Sequence, residues 1–345
     1  MQAAYLVGKM QFELRQVEEP PVPADGLVLK VVACGVCGSD LRRWKEGPAK
    51  NIPIVPGHEI AGVVEAVGAQ TAGYRVGDRL ALAPDIHCGR CYYCRRGLYN
   101  LCDELHFLGI TPGYPGGMGE KMALTGEVLA NGIVNPIPEG MSFETAALAE
   151  PCSSVLAAHQ HAGTGPDDTV LVMGGGPIGC LHIAVAHARG ARVLLSEPAA
   201  VRRELAQPFA PEAVIDPSTE EVNARVKDLT GGLGADIVIC ANPVAATQTQ
   251  AVEVVRKRGR VVLFGGLPKS NAMTTLDGNR IHYNEIHVVG AFSYHPVMHE
   301  QALLWLQRGQ IPAAKVITHT LPLSRVAEAF EMTASGSALK VIVQI

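Results

Sequence analysis

The stretch VLVMGGGPIG, residues 170–179, restricts the fold more than any other part of the chain. An apolar run with strand character leads into a glycine-rich turn at G-x-G-x-x-G spacing, and an apolar helical stretch follows. In such a unit the first glycine permits the tight turn, the second lets a pyrophosphate approach, and the third lets the helix pack against the strand. Unpaired N–H groups at the helix start favour phosphate. The stretch therefore predicts dinucleotide binding by Gly174, Gly176, Pro177, Ile178 and Gly179.

An acidic residue ends the next apolar run, ARVLLSE. Glu197 lies close to the offset of about 20 residues at which a carboxylate binds the adenosine ribose. A carboxylate there accepts hydrogen bonds from the ribose hydroxyls and repels a 2′-phosphate, so the sequence predicts NAD rather than NADP. Arg202 and Arg203 follow closely and could soften this preference. Arg202 is a candidate cofactor contact, although a solvent-facing position is the more ordinary interpretation of both arginines.

The chain contains segments with two different sequence patterns. Up to residue 152, short β-branched runs are joined by Gly- and Pro-rich turns, which is typical of an all-β or barrel-like part. From 153 to 291, apolar runs alternate with helix-compatible stretches, which predicts βαβ units and a doubly wound parallel sheet. The remainder, 292–345, has mixed texture and ends on the apolar run KVIVQI. We therefore expect an α/β protein of two domains.

Composition excludes several classes of function. Hydrophobic residues make up 48% and charged residues 18% of the chain, which indicates a packed globular protein. The formal net charge of −4 offers no basic footprint for nucleic acid. The apolar stretch 169–188 contains glycines, a proline and two histidines, so it favours a buried strand–turn–helix over a membrane span. The N-terminus lacks the pattern of a secretory signal, and we expect a cytoplasmic, reducing environment.

Four of the nine cysteines are concentrated in HCGRCYYCRRGLYNLC, residues 87–102. Disulfides are one interpretation, but C-x2-C pairs bridge poorly outside redox motifs and a reducing compartment opposes them. Four thiolates that close a tetrahedron around Zn2+ explain the spacing better, and such a site has no open position for substrate. Arg90, Arg95 and Arg96 could offset its negative charge. The sequence predicts a structural zinc held by Cys88, Cys91, Cys94 and Cys102.

A second group of metal-binding residue types is dispersed along the chain. Cys37 lies in CGVCGSD, His58 and Glu59 lie in VPGHEIAG, and Glu150 lies in LAEPCSS. An acid at the end of an apolar helical stretch requires a partner. Thiolate, imidazole and carboxylate ligands would leave a fourth zinc position for water or substrate, as in a catalytic site. Taken singly, each of these residues could also be a buried thiol or a hydrogen-bonded polar side chain without a metal. The sequence pattern does not establish that the four residues lie close together in the fold.

These motifs together resemble the zinc-containing medium-chain alcohol dehydrogenases, in particular the sorbitol and threonine dehydrogenase branch. The similar stretches span essentially the whole chain: CGVCGSD, GHEIAGVVEAVG, VGDR, the four-cysteine stretch, EP at Glu150, GGGPIG and ALKVIV. The resemblance implies a GroES-like catalytic domain, formed by both chain ends around an inserted Rossmann domain, with NAD and two zinc ions per chain. It implies catalytic zinc ligands at Cys37, His58 and Glu150, with Glu59 beside them or as an occasional ligand.

The resemblance also implies the chemistry. Zinc acts as a Lewis acid that lowers the pKa of an alcohol, whose carbon then gives a hydride to nicotinamide. Ser39 resembles the hydroxyl that takes the proton, with a turn-capping serine as the alternative. Arg42 stands where many relatives carry a histidine, and a guanidinium cannot shuttle protons. We expect the proton to leave through water and Arg42 to bind a cofactor phosphate or an anionic substrate group.

The substrate is defined only as a class. The branch implies a polyol, cyclitol or other sugar-derived secondary alcohol and its ketone, with a threonine-type 3-hydroxy amino acid as the alternative. Trp44, Tyr114 and His295 are pocket candidates by position alone. A zinc-free reductase is opposed by Cys37 with His58, and a non-catalytic dinucleotide-binding protein would be expected to show an eroded metal site. The branch suggests a homo-oligomer, with a tetramer favoured over a dimer.

Overall fold

The structure, a computed structural model, describes residues 1–345. The strands are β1 (Gln2–Gly8), β2 (Gln11–Gln16), β3 (Leu27–Gly35), β4 (Glu59–Val67), β5 (Arg79–Ala83), β6 (Asp85–Ile86), β7 (His106–Phe107), β8 (Lys121–Leu124), β9 (Ile133–Pro136), β10 (Thr169–Met173), β11 (Arg192–Ser196), β12 (Ala213–Ile215), β13 (Ala235–Cys240), β14 (Val255–Leu263), β15 (His287–Gly290), β16 (Ile317–Pro322) and β17 (Lys340–Gln344). The helices are α1 (Gly38–Glu46), α2 (Gly126–Asn131), α3 (Phe143–Ala147), α4 (Ala149–Ala162), α5 (Pro177–Ala188), α6 (Ala200–Ala206), α7 (Val222–Leu229), α8 (Ala245–Val254), α9 (Gly278–Tyr283), α10 (Val297–Gln307), α11 (Ala313–Val316) and α12 (Val326–Ser335). None of the helices has the length and apolar character needed to span a bilayer.

The chain forms two compact units. The first comprises residues 1–153, 294–309 and 317–345, and the second comprises 154–293 and 310–316. The sequence placed 310–316 with the first domain. In the structure this segment belongs to the second unit, because α11 packs against α5 and the Lys315 ammonium donates a hydrogen bond to the carbonyl of Pro208.

The second unit contains the doubly wound parallel sheet that the sequence predicts. Its six strands have the order β12-β11-β10-β13-β14-β15, and every neighbouring pair is parallel. In chain order this is the 3-2-1-4-5-6 arrangement of a Rossmann fold. The apolar stretch 169–188 divides into β10 and α5, as the strand–turn–helix interpretation requires. The carboxyl end of β10, where the order reverses, carries the glycine turn.

The first unit contains a largely antiparallel sheet of the strands β16-β17-β3-β4-β5-β9, with β8 also paired to β3. The C-terminal strand β17 pairs antiparallel with β3, so Ile342 lies opposite Gly35. Both ends of the chain therefore contribute to one sheet. Trp44 is only 2% exposed and packs against Phe330 of α12, which makes it a core residue of this unit rather than a pocket residue.

Helices α4 and α5 bring two imidazoles together inside the second unit. His182 Nδ1 lies 3.2 Å from His159 Nε2, and His159 Nδ1 lies 2.9 Å from the hydroxyl oxygen of Thr164. Phe264 contacts His182 edge to face, with 4.6 Å between the ring centroids. Burial lowers the pKa of His159 to about 3, and the charge of Arg189 acts in the same direction. Burial also lowers the pKa of His182 well below its ordinary value.

This imidazole pair predicts acid lability. In the unfolded chain both histidines bind protons below about pH 6.5, whereas in the folded chain they stay neutral to far lower pH. The stability of the fold is therefore retained above pH 6.5 and falls as the pH drops, by about 2 kcal/mol per histidine at pH 5. Urea unfolding between pH 5 and 7.5 should show a smaller pH dependence for His182→Leu than for the wild type. The exposed His187 of the same helix supplies the control, because His187→Leu should keep the wild-type pH dependence. Equal pH dependence in all three proteins would contradict the assignment.

Candidate active site

The four-cysteine loop is closed at its base by the antiparallel pair β6–β7. The Sγ atoms of its four cysteines all lie within 4.8 Å of one another. All nine cysteines of the chain are free thiols, so no disulfide forms in this loop. The loop therefore brings together the four residues that the sequence predicts as ligands, namely Cys88, Cys91, Cys94 and Cys102.

Backbone N–H groups of the loop donate hydrogen bonds to two of the four sulfurs, those of Cys91 and Cys102. The amides of Cys88 and Glu104 donate to Cys102 Sγ at 3.2 and 3.3 Å. Hydrogen bonds from the backbone N–H groups of Cys94 and Asp103 lower the pKa of Cys91 to about 6. Four sulfur donors within 4.8 Å of one another, two of which accept backbone N–H groups, fit a tetrahedral zinc ion. The arginines expected to offset the negative charge of a zinc–thiolate site have partners within the loop. Arg90, for example, forms an ion pair with Glu104 at 2.6 Å.

Cys37 and His58 approach each other around the start of α1. Cys37 is the N-cap of α1, and its backbone N–H donates to Asp40 Oδ2 at 3.0 Å. The other oxygen of Asp40 lies 3.2 Å from His58 Nδ1. Burial opposes a charged imidazole, but Asp40 and Cys37 together hold the pKa of His58 well above its ordinary value. Asp40 therefore orients the imidazole, and Nε2 remains as its ligand atom, as in the carboxylate–histidine pairs of zinc enzymes.

Ser39 and Arg42 lie on the same short helix. Ser39 Oγ is 3.4 Å from His58 Nε2, so the hydroxyl lies at the atom that faces a metal. Arg42 is exposed, and its side chain makes neither an ion pair nor a hydrogen bond within the chain. Its guanidinium is therefore available to an anionic ligand.

Glu59 completes a compact group with Cys37 and His58, in which the ligand atoms lie within 4.8 Å of one another. Glu59 is fully buried, and its Oε1 forms an ion pair with Lys340, which is 2% exposed and also donates to the carbonyl of Val36. Its Oε2 is buried without a hydrogen-bond partner. A Cβ atom at Gly35 would lie 1.8 Å from this oxygen, so only glycine leaves room for it. The orphaned carboxylate oxygen beside a thiol and an imidazole fits a zinc site.

Glu150, predicted as the third ligand, lies outside that compact group. It belongs to α4, and Tyr294 donates a hydrogen bond to its Oε1 at 3.2 Å. Removal from water raises the pKa of Glu150, while the nearby charge of His58 opposes the rise. The structure therefore offers two carboxylates: Glu59, which lies in the group with Cys37 and His58, and Glu150, which lies outside it and is influenced by the charge of His58.

The remaining pocket candidates lie near the four-cysteine loop. Tyr114 stacks on His106 and donates to Glu127 Oε2 at 3.2 Å. The ring of His295 lies 5.2 Å from that of Tyr99, which stacks in turn on His87. These contacts give both residues a structural role.

The glycine turn of the second unit leaves room for a ligand at the start of α5. Gly174 has φ of +117°, a conformation that residues with a side chain rarely adopt. A Cβ at Gly179 would lie 1.8 Å from the carbonyl oxygen of Gly174, so helix and turn pack closely there. A Cβ at Gly176 would meet no atom within 4 Å, and no side chain caps the helix. The open helix N-terminus fits a pyrophosphate.

Glu197 lies beside this turn at the end of β11. Its Oε2 accepts a hydrogen bond from the N–H of Gly175 at 2.6 Å, and its Oε1 accepts one from the N–H of Ala199 at 2.8 Å. Each oxygen keeps a lone pair for a ribose hydroxyl. Arg203 donates to the Glu197 carbonyl and pairs with Asp216, whereas the side chain of Arg202 has no partner.

Comparison with known families explains this combination of sites. Residues 23–134 match the alcohol dehydrogenase GroES-like domain, and residues 177–308 match the zinc-binding dehydrogenase domain. The chain belongs to the zinc-containing medium-chain alcohol dehydrogenases. The relatives found place this dehydrogenase in the polyol dehydrogenase branch of that family, as its motifs predicted.

Three curated relatives illustrate the branch. L-idonate 5-dehydrogenase of Vitis vinifera is 32% identical over 99% of this chain and 93% of its own. Sorbitol dehydrogenase of Bacillus subtilis is 31% identical over 99% of this chain and 97% of its own. L-threonine 3-dehydrogenase of Pyrococcus horikoshii is 32% identical over 96% of this chain and 94% of its own.

Solved structures share the fold over the full length. A zinc-binding dehydrogenase from Sinorhizobium meliloti bound to NADP has a TM-score of 0.91 and 30% identity, and it is matched over 100% of this dehydrogenase and 99% of its own chain. An alcohol dehydrogenase from Escherichia coli complexed with NADH has a TM-score of 0.90 and 27% identity over the same shares. Relatives with this fold therefore bind nicotinamide cofactors of both kinds.

Three residues of the site escaped the sequence analysis: Asp40, Lys340 and Tyr294. Asp40 follows Ser39 directly, and an acid in the first turn of a helix is a detectable signal. Lys340 begins the final strand and stands next to the apolar residues of ALKVIV, which is also visible in the sequence. Tyr294 has no such signal, because its partner Glu150 lies far away along the chain and only the fold brings them together.

Proposed function

We propose that this dehydrogenase is zinc-dependent and NAD-linked, and that it oxidises a secondary alcohol of a polyol, cyclitol or sugar derivative to the ketone, or catalyses the reverse. The observation that carries the proposal is the group of Cys37, His58 and Glu59, with ligand atoms within 4.8 Å of one another and the Ser39 hydroxyl beside it. The four-cysteine cluster would hold a second, structural zinc.

The catalytic zinc would be held by Cys37, His58 and one carboxylate, with Glu150 as the proposed third ligand and Glu59 as its neighbour. When bound, zinc supplies a Lewis acid that lowers the pKa of the alcohol, and NAD accepts the hydride. The side chains of the chain orient these groups. The Asp40 carboxylate, 3.2 Å from His58 Nδ1, would hold the imidazole with Nε2 directed to the metal.

The alcohol proton leaves through Ser39. Its Oγ lies at His58 Nε2, where a hydroxyl can accept the proton from the substrate and pass it to water. Arg42, three residues further along α1, remains charged and cannot continue the relay. Its unpaired guanidinium would bind a cofactor phosphate or an anionic substrate group.

The cofactor preference follows from Glu197. Its buried carboxylate stands beside the glycine turn, where it would accept hydrogen bonds from the ribose hydroxyls of NAD and repel the 2′-phosphate of NADP. Arg202 would contact the cofactor from the next helix.

Replacing Glu197 is therefore expected to weaken discrimination between the two cofactors. In Glu197→Ser, the ratio of kcat/KM for NADP to that for NAD should rise roughly 10- to 100-fold, because charge-assisted hydrogen bonds to the ribose are lost together with the repulsion. Steady-state kinetics with both cofactors measure this ratio. Glu204→Ser, at an exposed position of α6, should leave the ratio unchanged. An unchanged ratio in Glu197→Ser would show that another group reads the ribose.

The substrate class has a second candidate. L-threonine 3-dehydrogenase of Pyrococcus horikoshii is as similar in sequence as the polyol dehydrogenases, so a 3-hydroxy amino acid is the alternative substrate. The chemistry at the hydroxyl carbon would be the same.

A substrate screen tests the proposal directly. The purified protein is assayed for NADH formation with sorbitol, xylitol, myo-inositol and L-threonine, before and after treatment with a zinc chelator. We expect a polyol or cyclitol to be oxidised, the activity to disappear with the chelator, and added zinc to restore it. Activity with threonine alone would select the alternative. A zinc-loaded protein that oxidises none of a broad range of alcohols would refute the proposed function.

A further inference from the structure

Two adjacent arginines of α6 differ in what their side chains contact. The guanidinium of Arg202 has neither an ion pair nor a hydrogen bond within the chain. That of Arg203 donates through Nη1 to the carbonyls of Glu197 and Pro198, at 3.0 and 2.6 Å. Its Nη2 forms an ion pair with Asp216 at 2.9 Å. Arg203 is therefore held against the backbone of the residue to which the proposed function assigns the ribose.

Asp216 is itself fixed in position, directly after β12. Its Oδ1 accepts hydrogen bonds from the backbone N–H and the hydroxyl of Ser218, at 3.0 and 2.5 Å. The adjacent strands place it beside the turn, since the N–H of Glu197 donates to the carbonyl of Ile215 at 3.1 Å. One carboxylate oxygen is thus used by Ser218, and the other is left for Arg203. The ion pair is also partly shielded from water, because its two side chains are only 24% and 20% exposed.

A guanidinium in this place has the chemistry that a 2′-phosphate requires. NADP differs from NAD by this one phosphate, which carries a charge of about −1.5 to −2 at neutral pH and pairs strongly with arginine. Asp216 opposes such binding in two ways, because it occupies Nη2 of Arg203 and neutralises the positive charge. A phosphate would have to displace a carboxylate that Ser218 already holds in place.

We propose that Asp216 is a specificity-determining residue for the cofactor: it holds Arg203 on the backbone of Glu197 and so withholds the guanidinium from a 2′-phosphate. This inference rests on the proposed NAD linkage and deepens it, because the discrimination then has two parts. Glu197 accepts hydrogen bonds from the ribose hydroxyls of NAD. Asp216 acts at one remove, by keeping a nearby cation from binding the phosphate of the competing cofactor.

The test compares the affinities for the two reduced cofactors, which requires no substrate. The Kd values for NADH and NADPH are measured from nicotinamide fluorescence in the wild type and in Asp216→Asn, which removes the charge and keeps the shape of the side chain. The ratio of the Kd for NADH to that for NADPH should rise about tenfold, because the phosphate gains a charge-assisted hydrogen bond from Arg203. A general loss of stability would weaken both cofactors alike and leave the ratio unchanged.

A double variant shows whether Arg203 carries the effect. Arg203→Gln retains an N–H donor for the two carbonyls but has no charge. In this background, Asp216→Asn should leave the ratio of Kd values unchanged, because no guanidinium remains to be released. A rise of the same size in both backgrounds would overturn the inference, because Asp216 would then act by direct repulsion of the phosphate.

Asp236→Asn is the matched control. Asp236 also forms an ion pair with an arginine, Arg256, and its side chain is 18% exposed, close to the value for Asp216. This pair lies where β13 and β14 begin, at the amino end of the parallel sheet, whereas the glycine turn follows the carboxyl end of β10. The variant should lose an ion pair of similar burial and keep the wild-type ratio of Kd values.

The outcomes separate this inference from the function on which it rests. A wild type that binds NADH more tightly than NADPH, with an unchanged ratio in Asp216→Asn, would overturn the role of Asp216 alone. A wild type that binds NADPH more tightly would overturn the proposed NAD linkage and the inference with it. A wild type that binds neither cofactor would overturn the proposed function as a whole.

Discussion

Replacing His58 by alanine is expected to remove one of the two proposed zinc ions and to lower turnover at least about a thousandfold, while the fold remains intact. The imidazole is buried between Asp40 and Ser39, so its loss deletes a ligand and disconnects the hydroxyl that receives the proton. Lewis-acid stabilisation contributes several kcal/mol, which corresponds to about three orders of magnitude in rate. Elemental analysis, circular dichroism and NADH binding measure metal, fold and cofactor site separately.

His299→Ala provides the control for this experiment. His299 is equally buried in the same unit, but its Nδ1 contacts Asn135 at 2.9 Å rather than a metal-binding group. This variant should lose thermal stability and keep two zinc ions and normal turnover. If His58→Ala retained both zinc ions, the assignment of the metal site would be wrong.

The same metal analysis decides the third ligand. We expect the zinc content of Glu150→Ala to fall from two ions to one, and that of Glu59→Gln to stay at two. The opposite result would assign the ligand role to Glu59, whose unpartnered Oε2 already lies with Cys37 and His58. A content of one zinc ion in the wild type and in both variants would mean that only the four-cysteine cluster binds metal.

Cys91→Ser is expected to have the largest effect on stability. In the loop between β6 and β7 the large apolar side chains of Tyr92, Leu98 and Leu101 are exposed, so the metal would supply most of the energy that orders it. A loss of about 3 kcal/mol would lower the Tm by roughly 6–12 °C, at 2–4 °C per kcal/mol for a domain of this size. Differential scanning fluorimetry and elemental analysis report the two effects, and the catalytic zinc should remain.

Cys240→Ala is the corresponding control, because this buried cysteine lies in the second unit and outside both metal groups. It should keep both zinc ions and lose only the small stability of a truncated core side chain. Unchanged thermal stability in Cys91→Ser would contradict a structural role for the cluster.

Local sequence patterns were sufficient to predict those elements whose geometry depends on residues close together in the chain. The glycine turn forms where VLVMGGGPIG predicts it, because the backbone needs of Gly174 and Gly179 arise within one strand–turn–helix unit. The four-cysteine cluster forms for the same reason, since a short loop can bring its own thiols together. The alternation of strands and helices likewise predicted the parallel sheet, in which every neighbouring pair except β10 and β13 is consecutive along the chain.

The exact membership of the second metal site depends on long-range pairing. Cys37 and His58 meet because β3 and β4 are adjacent antiparallel strands. Lys340 reaches Glu59 only because the C-terminal strand β17 pairs with β3.

The sequence by itself therefore determined the fold class, the family, the nucleotide turn and the residue types of both metal groups. The tertiary structure decided which residue contacts each candidate ligand: Asp40 lies beside His58, Lys340 beside Glu59 and Tyr294 beside Glu150. The physical reason is the separation along the chain of the residues that interact. Turn geometry and thiol spacing are set within a few residues, whereas a buried carboxylate takes its partner from whatever strand or helix the completed fold places beside it.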